Sequence, residues 1–190
     1  MACYSSQQLV EMGFARVGQN PRISTKASFY GVERIELGDN VRIDDFCTLS
    51  AGAGGIKLGN CIHIALYSSI VGAGRVELGD YANISGRVSI YSSSDDYSGE
   101  WMTNPMVPDE FTNVTHAPIN IGKHCIIGAG AVVLPGVDLG DGAAVGALSL
   151  VNKSLAEWQI YAGQPAKRIK SRSKNAIKLQ EKLELHVENS

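Results

Sequence analysis

Three carboxylates fall close together in the segment Ser-Ser-Ser-Asp-Asp-Tyr-Ser-Gly-Glu: Asp95, Asp96 and Glu100. Ionised at neutral pH, such groups bind and orient a cationic partner or take a proton from it. Asp95 is the first choice for that task, with Glu100 or Asp96 as a second acidic contact. The adjacent pair also suits plain turn capping, because Asp readily bonds its own backbone. Ser85, on an earlier segment, supplies a hydroxyl donor. Of the four histidines, His116 and His63 are the alternative bases. His116 ends the segment that starts near Asp95, and a structural role suits it as well as a catalytic one. His63 stands between Ile62 and Ile64, so alternation turns it outward. His124 falls at a repeat corner and is expected to be exposed, and His186 belongs to the tail. Tyr91, Tyr97 and Trp101 offer faces for stacking, although packing of their loop is the plainer expectation. Lys167, Arg168, Lys170, Arg172 and Lys174 make a cationic run that suits phosphates or a solvated linker. Cys3, Cys47, Cys61 and Cys125 are widely spread, and neither C-x-x-C nor His-x4-His spacing occurs. No metal site is therefore expected.

The elements that hold these groups come from an internal repeat. Small or β-branched apolar residues recur every six positions: Val17, Ile23, Phe29, Ile35, Val41 and Cys47; Ile56 and Ile62; Val76, Ala82 and Val88; Ile119, Cys125, Ala131, Val137 and Ala143. Two positions after most of them lies another aliphatic residue, such as Leu37, Ile43, Ile84, Ile127 or Val145, and then often Gly, Asp, Asn or Ser. A very short strand points two alternate side chains inward, and a residue that tolerates positive φ then bends the chain. Each hexad makes one flat face, three faces close a coil, and coils stack to bury their interiors. The pattern predicts an all-β solenoid. Small register breaks near Gly52–Gly55 and Gly72–Arg75 read as corner bulges. A large break over 93–118 contains Pro105, Pro108 and Pro118 and no six-residue pattern. So long an excursion from a regular scaffold points to function.

The ends differ in kind. Ser5–Met12 reads as a short helix stopped by Gly13, capping the first coil. Ala176, Leu179, Leu183 and Val187 share one stripe of a C-terminal α-helix, suited to packing on the prism or on a neighbouring subunit. The expected organisation is a cap over 1–16, the solenoid over 17–170 with its excursion, and the helix over 171–190. The chain has 190 residues and a net charge of −2, so it carries no nucleic-acid footprint. No apolar run is long enough for a membrane span, and no secretory h-region opens the chain. Spread, unclustered cysteines suit a reducing cytoplasm.

The hexads, together with the segment Ile119–Lys170 closing on Tyr-Ala-Gly-Gln-Pro-Ala-Lys, resemble the hexapeptide-repeat acyltransferases of the sugar-acetylating branch. The resemblance covers about 17–170. It implies a left-handed parallel β-helix, a homotrimer with sites between adjacent prisms, and an acyl-CoA co-substrate, acetyl-CoA by default. Ala129, Gly146 and Ala147 then suit the pantetheine groove. Asn152 and Lys153 match positions near the adenine end, and Lys153, Lys167 and Lys170 are favoured for the phosphates. Relatives that acylate hydroxyls place a catalytic His on the strand-to-loop segment, where this chain has Asp95 and Asp96 instead. An amine acceptor needs a weaker base than a hydroxyl. The segment looks most like N-acyltransferases of nucleotide-linked amino deoxysugars, with dTDP or UDP as carrier, that serve surface-polysaccharide synthesis. A sugar O-acetyltransferase using His116 or His63, and a noncatalytic trimeric scaffold, are the alternatives.

Overall fold

The structure, a computed structural model, describes residues 1–188, with side chains through residue 186; the Val187 side chain, Asn189 and Ser190 lie outside the described residues. The hexads build the expected parallel solenoid. Successive strands go to three different sheets, of six, eight and six strands, and the strands of successive coils pair in parallel. Ile35, Ile56, Val76 and Ile119 stack in register on the first face, Ile43, Ile64, Ile84 and Ile127 on the second, and Leu49, Ile70, Ile90 and Val133 on the third. All twelve are buried and belong to one continuous core. No coil has a partner for its interior except the coils above and below, which is why the repeat must be sustained.

Corners carry the fold's second regularity. At the edge between the first and second faces, Asp39 and Asp80 accept backbone N–H bonds from Gln19 (2.8 Å) and Asn60 (2.9 Å), and Asp141 accepts one from Lys123 (2.8 Å). The frequent Gly-Asp pairs are thus staples between coils. The next residue adopts positive φ on coil after coil: Asn40, Cys61, Tyr81, His124 and Trp158. The edge between the second and third faces repeats this with Phe46, Tyr67, Arg87, Gly130 and Leu148. Left-handed backbone at bulky residues is uncommon. It turns their side chains out along the edges, where they form columns.

A capping box closes helix α1 (Ser6–Glu11): the Ser5 hydroxyl accepts from Gln8 N–H at 3.2 Å and the Gln8 side chain accepts from Ser5 N–H at 2.8 Å. Leu9 is driven fully into the first coil. At the other end, Lys167–Ser171 folds back antiparallel on Gln159–Ala162, a strand that the cationic run concealed. Helix α2 (Asn175–Glu188) lies against its own prism. His124 Nε2 and Gln180 Oε1 are 2.6 Å apart, Tyr81 stacks on His124 at 5.0 Å, and Arg172 donates to the His124 and Gly142 carbonyls. The expectation that His124 would be exposed is corrected: its ring is half-buried between Tyr81, Trp158 and the helix.

Candidate active site

The edge between the second and third faces carries a column of small residues. Ser85 follows the strand Asn83–Ile84; its N–H donates to Ile127 O at 2.9 Å and its carbonyl accepts the Ser68 hydroxyl at 2.9 Å. The backbone is therefore fixed, while the half-buried hydroxyl has no partner among the described residues. Directly above stand Gly128 and Gly146, whose N–H groups donate to Val145 O (2.8 Å) and Tyr161 O (2.7 Å). A Cβ on Gly128 would lie 2.5 Å from Ala147 N, so only glycine permits this approach of the coils. Ala129 and Ala147 follow, one coil apart and exposed. Their own N–H groups donate to nothing among the described residues. A groove walled by methyl groups and lined by free amides accepts an extended, amide-containing arm, satisfying its carbonyls while covering little-hindered apolar surface.

The cations divide by role. Arg168 donates to Gln159 Oε1 (2.7 Å), Arg172 clamps two carbonyls, and Lys174 lies 3.9 Å from Glu157. Lys167 and Lys170 are exposed and make no ion pair among the described residues. Lys167 is in register with Ala162, whose Cβ sits over Gly146, so it crowns the groove. Lys170 is opposite Ile160, nearer the other edge. Asn152 and Lys153 are exposed but belong to the edge between the third and first faces, away from Ala129 and Ala147 in the same chain.

The excursion leaves from that same edge. It is not patternless: Ser93–Ser94 pairs antiparallel with Thr115–His116, and Met102 bridges Thr112. His116 Nδ1 lies 2.7 Å from Ser93 Oγ, which also accepts Ala73 N–H at 2.7 Å, so this histidine closes the stem. Asp95 is exposed, and its carboxylate is unpartnered among the described residues. With Tyr91, Ser93, Tyr97 and Leu134 it lines a cleft of about 240 Å³. Asp96 accepts from Ser98 N–H (2.7 Å) and Asn113 Nδ2 (3.2 Å), and these hydrogen bonds, the Ser98 hydroxyl first, hold its carboxyl below the usual range. It caps the loop from within. Glu100 is exposed, and among the described residues it is tied only through its N–H, which donates to Ser98 Oγ at 3.1 Å. Tyr97 is 92% exposed and Trp101 46%. Tyr97 is therefore not buried against the prism, while Trp101 is about half covered.

Residues 118–153 match the family model of the bacterial transferase hexapeptide (six repeats). The chain is 56% identical over 180 residues to the dTDP-4-amino-4,6-dideoxy-D-glucose acyltransferase of Escherichia coli, covering 95% of this chain and 94% of that protein. The chain belongs to the hexapeptide-repeat acyltransferases. Its fold matches AntD, an N-acyltransferase from Bacillus cereus solved with dTDP and 3-hydroxybutyryl-CoA, with TM-score 0.93, 41% identity and coverage of 99% and 98% of the two chains. The same enzyme with dTDP-4-amino-4,6-dideoxyglucose and coenzyme A, altered at a serine, gives TM-score 0.91, 41% identity and 95% coverage of each chain.

In this acyltransferase His63 is already committed. Its Nε2 lies 3.0 Å from Asp44 Oδ2 and its Nδ1 3.1 Å from Asn83 Oδ1, while Arg42 Nε donates to Asp44 Oδ1 at 2.7 Å. Burial of Asp44 pushes its carboxyl up, but hydrogen bonds from Arg42 and His63 outweigh that and leave it below the usual range. This network braces the second face one strand from Ser85 and was invisible in the sequence, because Arg42, His63 and Asn83 become neighbours only through coil register. The acyltransferase thus joins Ser85, Gly146, Ala129, Ala147 and Lys167 on one edge. It sets Asp95, Asp96, Glu100, His116, Asn152 and Lys153 around the next edge. The third face between them spans about six residues, roughly 20 Å.

Proposed function

We propose that the protein transfers an acyl group from acyl-CoA to the amine of dTDP-4-amino-4,6-dideoxyglucose. The near full-length identity to an acyltransferase of that sugar carries this reading. The AntD complexes with coenzyme A, with 3-hydroxybutyryl-CoA and with the dTDP-amino sugar support it. Pantetheine lies in the groove at Gly146, Ala129 and Ala147, with Lys167, which crowns the groove, near the coenzyme phosphates. The amine nitrogen attacks the thioester carbonyl carbon, forming the C–N bond as the carbonyl electrons move to oxygen. The Ser85 hydroxyl donates to that oxyanion. The electrons return, the C–S bond breaks, and the thiolate leaves and takes up a proton. Asp95 holds the incoming amine and accepts the proton that its nitrogen must lose. AntD was altered at a serine and at an aspartate whose separation equals that of Ser85 and Asp95 here, which favours these two.

Ser85 and Asp95 occupy successive edges of one prism, so the site forms where the Ser85 edge of one copy meets the Asp95 edge of another. A cyclic homotrimer supplies three such junctions, and Asn152 and Lys153 then reach the coenzyme from the neighbouring copy. Glu100 is the second acidic contact; Asp96 shapes the loop. Use of acyl-CoA and a nucleotide sugar favours a cytoplasmic enzyme, and an acylated amino sugar suits surface-polysaccharide synthesis.

The test is thiol release from acetyl-CoA with paired acceptors, the dTDP-linked 4-amino sugar and its 4-hydroxyl counterpart. Release with the amino sugar alone is expected. Release with the hydroxyl sugar, abolished by His116→Ala or His63→Ala, would overturn the amine reading.

A further inference from the structure

Beneath Ser85 the prism holds a buried hydroxyl that packing does not call for. Successive coils place Cys47, Ser68, Val88, Ala131 and Ser149 at one inward position, just past the corner between the second and third faces. Val88 and Ala131 fill it with apolar surface alone, whereas a serine there carries the cost of a desolvated hydroxyl. Ser68 is 1% exposed. Its Oγ accepts Val88 N–H at 3.3 Å, and its own proton goes to the Ser85 carbonyl, on the coil above, at 2.9 Å. Ser149 repeats the arrangement at the coenzyme groove: it accepts Gly163 N–H at 3.1 Å and donates to Gly146 O at 2.8 Å. Cys47 donates in the same way to Ala65 O at 3.1 Å. The residues that follow these carbonyls are Gly86, Ala147 and Leu66, and their N–H groups donate to nothing among the described residues.

We infer that Ser68 is a positioning residue for the transfer step: it turns the Ser85–Gly86 peptide so that Gly86 N–H joins the Ser85 hydroxyl as a second donor to the oxyanion. The inference rests on the function proposed above and deepens it. Its first support is peptide geometry. The C=O and N–H of a trans peptide point in opposite directions. A carbonyl drawn inward to a buried Oγ therefore aims the next N–H outward, and Ser85 projects to that same side because its neighbour Ile84 is turned into the core. The second support is place. Ile84 pairs with Ile127, so two residues on, Gly86 lies one coil under Ala129, in the column of free amides and at the level of Ser85. The third is residue type. Gly86 is not among the residues with positive φ, and the nearest atom to a Cβ there would be Leu66 O at 3.2 Å, close but not prohibitive. The backbone does not demand glycine. Along the column Leu66, Gly86, Ala129 and Ala147, only Gly86 leaves its N–H bare for a reacting group to approach. The atoms and electrons of the step are unchanged. As the amine attacks, the thioester oxygen takes up the carbonyl electron pair and accepts both hydrogen bonds, and it returns the pair as the C–S bond breaks. Donors fixed beforehand need no reorganisation at that moment.

The experiment is steady-state transfer from acetyl-CoA to the dTDP-linked 4-amino sugar by the full chain. The proteins are wild type, Ser68→Ala, Ser68→Cys, Gly86→Ala, Ser85→Ala and the Ser68→Ala/Ser85→Ala pair, with melting temperature and coenzyme A affinity recorded for each. Ser68→Ala is expected to lower kcat about tenfold or more, with both KM values and coenzyme A affinity within about twofold. Ser68→Cys keeps a donor of the kind Cys47 uses and should regain most of that loss, whatever its melting temperature. Gly86→Ala crowds the N–H without touching the core and should lower kcat by a similar factor, which keeps the inference testable where Ser68→Ala does not fold. In the pair, Ser68→Ala should cost the Ser85→Ala protein a similar factor again, because the amide acts separately from the hydroxyl. No further loss in the pair would confine Ser68 to the hydroxyl, and the Gly86 donor would fall. Unchanged kcat in Ser68→Ala or Gly86→Ala, or equal losses in Ser68→Ala and Ser68→Cys, would overturn the inference and leave the amine-acylation reading standing. Wild type that transfers nothing to the amino sugar would overturn the function itself, and the inference with it.

Discussion

The Ser85 edge and the 93–118 excursion are built by opposite means. On the edge, every backbone position is dictated by the coil beneath it, and the useful groups are leftovers of that order: unpaired N–H groups at Ala129 and Ala147, and a hydroxyl at Ser85 with no partner among the described residues. In the excursion, polar side chains make the order themselves, through Asp96 with Ser98 and Asn113 and through His116 with Ser93. The difference separates two tasks. A coenzyme of constant structure suits a groove set by the repeat. An acceptor that varies among relatives suits an insertion that can change without disturbing the core.

Removing the carboxylate proposed to bind the amine should show the largest effect. Asp95→Ala should lower kcat/KM on the order of 100-fold or more, with the melting temperature unchanged because the side chain is exposed. Mixing Asp95→Ala with Ser85→Ala copies under exchange conditions should then restore activity, since some junctions regain both groups. No recovery in verified mixed oligomers would place both residues in one copy's site. Next comes the scaffold. Ile127→Ala, beneath the groove and fully buried, should cost about 2–5 kcal/mol in denaturant unfolding. A change in kcat without loss of stability would contradict the division of tasks.

A smaller effect is expected in the groove itself. Ala147→Val should raise the KM for acyl-CoA roughly tenfold and leave dTDP affinity as it was; equal losses for both ligands would mean that the edge had moved as a whole. The smallest effect concerns the Asp44 brace. Its carboxyl is held below the unfolded value, so its contribution to stability is present above the ordinary Asp range and is lost as pH falls through the folded value. Asp44→Asn should therefore lower the melting temperature slightly at neutral pH and flatten its fall on the acid side. An unchanged acid limb would mean that Arg42 and His63 hold the face without it.

The hexads made the solenoid legible because inward positions follow a local period, and a sustained period admits one way to bury them. Asp95 stood out for a related reason: the excursion breaks the period, and its acidic residues have no role in a coil. His124 and Tyr97 were read less well. Burial of His124 comes from a helix more than fifty residues later in the chain, docked through Gln180. Tyr97 sits on the insertion, where no six-residue period says which side chains turn inward, and it is 92% exposed.

The repeat by itself determined which side chains face inward, where the coils turn and where the chain departs from them, since all three depend on neighbours within a few residues. Only the tertiary structure decided which outward residues meet. Coil register placed Arg42, His63 and Asn83 side by side, and the left-handed corners set Phe46, Tyr67 and Arg87 in line beneath Ser85. Each of those neighbours is a full coil away along the chain, and a period of six fixes the face of a residue without fixing the partner above it.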